Sequence, residues 1–393
     1  MSELVSMMAL AVSAPAPWPA WSRVLSVFAY FVAVASVIGG TVTYLAVVRP
    51  VLRATDAGID AADVVVLRRR SATLLASSGL ALVVAAYLQL ADRVDRADTD
   101  TSYREALVPT QMWQFIRQPA EPGSWVSSGT LILVQTVLLV VVAVLLGALF
   151  VSSVRPGLDR VALLAALLAV TASLVTSLPT DPRAEMFDDV LGAVMTQAHI
   201  IGGCTWVGGL ASLALLSRTR HLLGRRAGLL WARMWQRFSI LALSAVGAMI
   251  ISGSWLTWKH VGALSQFTST TYGRFLLVKV LLVAARVSAG AYNQFLLTPR
   301  IAQHHAAGDM GSGFALTLRH FPAVVAAEIA LGICVLSIVP FLTGSARAQA
   351  GGGATPAVDG TVLALGLILV GSLAATFYAA HRVSLLLTQR AGG

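Results

Sequence analysis

Tyr272, Lys279, Arg286 and Asn293 fall seven residues apart along an apolar stretch that reads FLLVKVLLVAARVSAGAYN. A seven-residue step on an α-helix returns to nearly the same azimuth, about 20° short of two turns, so the four side chains share one face. Two of them are cations. A charge at mid-membrane depth costs about 3 kcal/mol on insertion scales, so by default it faces protein or a wet cavity. The run AVMTQAHIIGGCTWVGG places Met195, His199 and Trp206 on one face of another helix, and AVVAAEIALGICV carries Glu328, a carboxylate inside an apolar run. An imidazole in such a setting is a ready ligand for a transition metal or a haem iron. An unpaired ion in low dielectric tends to neutralise, so Glu328 is expected to offset Lys279 or Arg286. The plainer reading of that pair is glue holding two helices in register.

These side chains need apolar helices to position them, and the composition supplies them. The chain has 393 residues, 57% hydrophobic and only 12% charged, against about 25% charged in soluble domains. The fold class is therefore all-α, a polytopic integral membrane protein. At about 20 apolar residues per crossing, nine spans are expected, at 24–48, 72–91, 129–151, 158–179, 190–216, 238–258, 272–297, 320–343 and 361–385. The net charge of +10 does not indicate nucleic acid, because the arginines cluster in short loops between apolar runs. The arginine-rich loops 49–71 and 217–237 belong in the cytoplasm, and the more acidic 92–128 and 180–189 outside. This puts the amino terminus outside and the carboxyl terminus in the cytoplasm.

The expected organisation is an outer tail (1–23), a four-span scaffold (24–180), a four-helix core (190–343), an outer linker rich in Gly and Ala (344–360), and a ninth span with a cytoplasmic tail (361–393). The tail lacks the basic start of a signal peptide and contains Glu3. The longest outer loop, 92–128, has room for a small cap. Ionisable groups are nearly absent from the first four spans, so the chemistry belongs to the next four. No phosphate loop, serine elbow or paired carboxylates are present, and no catalytic residue is assigned. Cys204 and Cys334 lie in apolar runs and read as packed small hydrophobes. His304 and His305 are two adjacent imidazoles in a polar loop, short of a three- or four-ligand metal site.

In order and spacing, the runs QAHIIGGCTWVGG, RMWQRFSILALSAVGAMIISG, TYGRFLLVKVLLVAARVSAGAYNQFLLTP and AAEIALGICVL resemble the copper resistance protein D family, and GGTVTYLAVVRPVL resembles its amino-terminal portion. The resemblance covers about residues 190–343. It implies copper transport or homeostasis at the bacterial cytoplasmic membrane, beside a periplasmic copper-binding protein. Carried over residue by residue, the family's histidine falls on His199, its Trp and Gly on Trp206 and Gly208, its Arg-Phe-Ser on Arg237, Phe238 and Ser239, its lysine on Lys279, its asparagine on Asn293 and its glutamate on Glu328. The implied metal ligands are His199, Met195 and His260. Lys279, Arg286 and Glu328 form the charge-pair or proton-linked group, and Trp206, Tyr272, Asn293 and Arg237 line the site. The chain departs from the family at LPTDPRAEMFDD, where a histidine just outside the fifth span is missing and Met186, Asp188 and Asp189 stand instead.

The His-Ile-Ile and Trp-Val-Gly-Gly opening is also similar to the membrane-bound bacterial protoporphyrinogen oxidase family. That resemblance implies haem b on His199, with Lys279, Arg286 or Arg274 beside the propionates. A third reading is a non-catalytic subunit of a membrane complex.

Overall fold

The computed structural model describes residues 19–54, 60–97, 101–120, 122–178, 180, 186–224, 227–292, 321–352, 356 and 358–391. Among these residues the regular structure is helical, with no strand. In a lipid environment each backbone N–H and C=O must be satisfied within its own segment, and an uninterrupted apolar run does that only as a helix. The prolines agree, since Pro109 and Pro156 stand in first turns, where a missing N–H costs nothing, while Pro50 follows the π-helical turn and Pro340 sits in the 3-10 turn that ends its helix.

The helices are α1 (Trp21–Thr43), continued through a π-helical turn at Tyr44–Val48 into α2 (Arg49–Arg53); α3 (Ala61–Ala97); α4 (Tyr103–Ala106); α5 (Pro109–Ile116); α6 (Ser128–Gly147); α7 (Leu158–Val175); α8 (Met186–Ser217); α9 (Ala227–His260); α10 (Gln266–Ser269); α11 (Thr271–Tyr292); α12 (Phe321–Ile338); α13 (Ala346–Gln349); and α14 (Gly360–Ala391). Six stretches, 21–53, 61–97, 128–150, 155–175, 187–217 and 230–260, are long and apolar enough to cross a membrane. Val325–Phe341 and Gly360–Thr376 are shorter apolar helices. The helix with the cationic ladder, α11, runs 22 residues. The protein is an all-α polytopic membrane protein, and valines and leucines such as Val137, Val144, Leu163, Leu167 and Leu367 point outward where lipid would meet them.

The helices overrun the apolar runs that predict them. Arg68, Arg69 and Arg70, expected in a loop, stand on α3, which begins at Ala61, and α9 begins at Ala227 rather than at 238. Helical hydrogen bonding continues past the hydrocarbon edge, and long basic side chains wet the projecting turns. The described part of 92–128 packs as a small cap on the end of α3. Ser102 and Glu105 make a reciprocal capping box at the start of α4, and Ala106 and Met112 pack on Leu90, Ala91 and Val94 of α3. Ala346–Gln349, inside the expected linker, make a turn of helix tied down by Arg347 Nη2 donating to the Trp258 carbonyl at 3.1 Å.

The largest core joins the first helices to α8, through residues that include Val37, Ile38, Leu67, Leu75, Leu210 and Leu213. Close approach of α1 and α8 depends on Gly39 and Gly208. A Cβ at either would strike the backbone of the other helix, at Cys204 and Gly208 in one case and Ala35 in the other. At the arginine-rich end, Asp159 on α7 gathers three helices. It accepts from Tyr44 Oη at 2.5 Å and Arg53 Nη2 at 2.6 Å, with Arg49 Nε at 3.2 Å and Arg68 Nη2 at 3.8 Å.

Candidate metal-handling site

Two antiparallel helices set the frame. Lys259 near the end of α9 binds Asp188 in the first turn of α8 at 2.8 Å, donates to the Pro356 carbonyl at 2.9 Å and lies over the Trp258 ring at 5.2 Å. About 16 Å further along α8, the half-buried His199 ring packs against Gly253 of α9, where a Cβ would come 3.3 Å from Cε1. The ring Nδ1 meets Ser252 Oγ at 3.3 Å. That hydroxyl already donates to the Ala248 carbonyl at 2.6 Å, so the serine oxygen accepts and Nδ1 carries the proton. The tautomer assigned from this network puts the lone pair on Nε2, the ring atom that would take a ligand.

A third helix completes the arrangement. Tyr272, at the start of α11, stacks on His260 at the end of α9, with ring centroids 5.8 Å apart and planes 10° from parallel. Since α11 runs back from the end of α9, it runs in the same direction as α8. The two ladders then register by heptads. Lys279 falls level with His199, and seven residues on, the Arg286 guanidinium lies 4.0 Å over the Trp206 ring. Arg286 Nη2 donates to the Trp206 carbonyl at 3.4 Å, and the side chain is only 1% exposed. Val283, between the two cations, packs on the cluster of Trp206, Ala245, Val246 and Met249.

The buried Glu328 on α12 lies within electrostatic reach of Arg286 without making a contact ion pair. One turn further along α12, Gly332 leaves the space the guanidinium fills, for a Cβ there would stand 2.7 Å from Arg286 Nη1. Of the two cations offered to Glu328 by the sequence, it is Arg286 that faces it. Lys279 is half-buried and has no hydrogen bond or ion pair among the described residues.

The remaining candidates divide. Met195 is half-buried one turn before His199 on α8. His260 is held at Nδ1 by the Leu256 carbonyl at 2.7 Å and sits at the end of α9, about 12 Å along it from Ser252. Arg237 is exposed, about 22 Å along α9 from Ser252, and does not line this site. Asn293, His304 and His305 lie outside the described residues. Cys204 is buried and Cys334 exposed, both as free thiols.

Sequence reading missed Met249, Ser252, Gly253 and Gly332. Met249 folds its thioether over Gly202 and Gly203, one turn from His199, and its backbone also meets the imidazole. The available signal was the small-residue pattern facing the Gly-Gly pair of α8, which marks a close helix crossing. No group of three or more His, Cys, Asp or Glu side chains is gathered for a metal among the described residues. The donors present are one imidazole nitrogen and nearby thioethers, a soft and sparse set that suits Cu(I) over a hard divalent ion.

Residues 232–342 match the family pattern described as copper resistance protein D. That stretch holds Ser252, Gly253, Lys279, Arg286, Glu328 and Gly332, while His199 and Trp206 precede it. Over 157 residues the chain is 31% identical to the copper transport protein CutJ of Bacillus subtilis (strain 168), a match covering 40% of this chain and 26% of that protein. The chain thus matches about a quarter of that relative's length. No solved structure matches.

Proposed function

We propose that this chain, whose residues 232–342 match the copper resistance protein D pattern, carries copper across the bacterial cytoplasmic membrane, with His199 as the central ligand. The observation that carries this reading is the imidazole itself, held by Ser252 with its lone pair on Nε2, at a helix crossing that also holds Met249. Met195, one turn away, adds a second thioether from the same helix. Thioether and imidazole donors hold Cu(I) loosely enough to release it, which transport requires and a closed structural site does not.

In this reading the chain crosses the membrane nine times, with its amino terminus outside, and α11 is one of the crossings. The platform of Lys259, His260, Tyr272 and Arg347 faces the periplasm, where a copper-binding protein delivers the ion. Lys279 makes passage proton-linked. A copper cation at His199 and an ammonium at Lys279 repel in low dielectric, so arrival of the metal is favoured by release of the lysine proton. Arg286, further in, holds its charge between the Trp206 face and Glu328 and prevents the cation from lingering.

The test is copper uptake into proteoliposomes containing the purified protein, with a pH-sensitive dye inside. Copper entry with counter-movement of protons, lost in His199→Ala, supports the proposal. Lys279→Gln should bind copper but lose the proton signal. A Soret band in the purified protein that vanishes in His199→Ala would overturn the assignment in favour of haem.

A further inference from the structure

We propose that the cavity between α3 and the helical turn after α8 binds the phosphate headgroup of an anionic phospholipid. The cavity has a volume of about 280 Å³ and lies at the arginine-rich end of the molecule. Arg70 and Thr73 of α3 form one wall, and Arg218 and His221 of the turn Arg218–Leu222 the other, over a floor that includes Leu74 and Leu215. No acidic side chain lines it.

Three observations point to a phosphate-bearing amphiphile. Arg70 and Arg218 have no carboxylate partner among the described residues, whereas the neighbouring arginines of α2 and α3 gather on Asp159. The acid nearest in sequence, Asp63, is already used, since its Oδ1 accepts from the Gly224 N–H at 2.9 Å and clips the turn to α3. That clip fixes both walls of the cavity without placing negative charge in it. Finally, the floor opens to lipid, because Leu215 is 43% exposed at the level where apolar side chains give way to arginines. A free anion would use only the guanidinium rim. A phospholipid would also lay an acyl chain along Leu74 and Leu215, and basic residues at this depth attract anionic headgroups.

The experiment measures binding by native mass spectrometry and thermal shift in a neutral detergent, using phosphatidylglycerol, phosphatidylcholine and inorganic phosphate. Phosphatidylglycerol should stay bound and raise the melting temperature, and the other two should not. Arg70→Gln and Arg218→Gln should each weaken phosphatidylglycerol binding about fivefold, while Arg160→Gln, an exposed arginine at the same end, should leave it unchanged. Equal protection by inorganic phosphate would reassign the cavity to a free anion, and equal loss in Arg160→Gln would reduce the effect to general surface charge. Either result overturns the proposal. The lipid comparison on the unaltered protein decides even if a variant folds poorly.

Discussion

The guanidinium of Arg286 lies 4.0 Å above the indole of Trp206, 80 residues away in the chain, and this stack fixes the register of α11 against α8. Arg286 Nε makes no hydrogen bond among the described residues, so the ring face supplies much of what solvates the charge. Trp206→Ala removes that face and opens a cavity, and should destabilise the protein by about 3–5 kcal/mol. Trp206→Phe keeps a weaker face and should cost about 1 kcal/mol. Chemical unfolding in detergent, followed by circular dichroism, separates the two.

Glu328 faces Arg286, not Lys279. In a double-mutant cycle, Arg286→Gln with Glu328→Gln should show coupling above about 1 kcal/mol. Lys279→Gln with Glu328→Gln should add to within about 0.5 kcal/mol. Stability of all five variants measured in the same detergent gives both numbers, and a larger coupling for the lysine pair would reverse the assignment.

The orientation of His199 rests on Ser252. His199→Ala should abolish high-affinity copper binding. Ser252→Ala, which frees the ring to turn, should weaken it about tenfold, the low end for loss of a partner that orients a ligand. Titration with a Cu(I) chelator competitor reads both, and an unchanged affinity in Ser252→Ala would show that the hydroxyl does not orient the ring.

Gly208 is placed where α1 and α8 touch. Gly208→Ala should destabilise by about 3 kcal/mol, the upper end for overpacking, because the obstacle is the backbone at Ala35. Gly192, on the same helix with open space at its Cβ position, is the control. Gly192→Ala should be neutral or stabilise by up to about 1 kcal/mol through helix propensity. Thermal unfolding of the two variants side by side checks this.

Much of the fold was written in the sequence because helix formation in lipid is a local matter. An apolar run without proline has one way to satisfy its backbone, so each expected span lies on a helix over its described residues, and six of those helices are long and apolar enough to cross a membrane. Helix ends differ from span ends because hydropathy marks the hydrocarbon edge, whereas α3 and α9 keep their hydrogen bonds beyond it, carrying Arg68–Arg70 and Arg233 on helix. The heptad spacing of Lys279 and Arg286, and of His199 and Trp206, was likewise legible, since it depends only on residues per turn.

What the sequence by itself determined was therefore an all-α membrane protein with two polar ladders, each on its own helix face. Which rung meets which was decided by tertiary structure alone. Arg286 meets Trp206 because Gly332 on α12 leaves room for a guanidinium, and His199 takes its tautomer from Ser252, 53 residues away. Arg237 stands apart because its place on α9 is far from the crossing. Side-chain period is a property of one helix, but the axial offset between two helices depends on where their small residues let backbones approach, and no single segment carries that information.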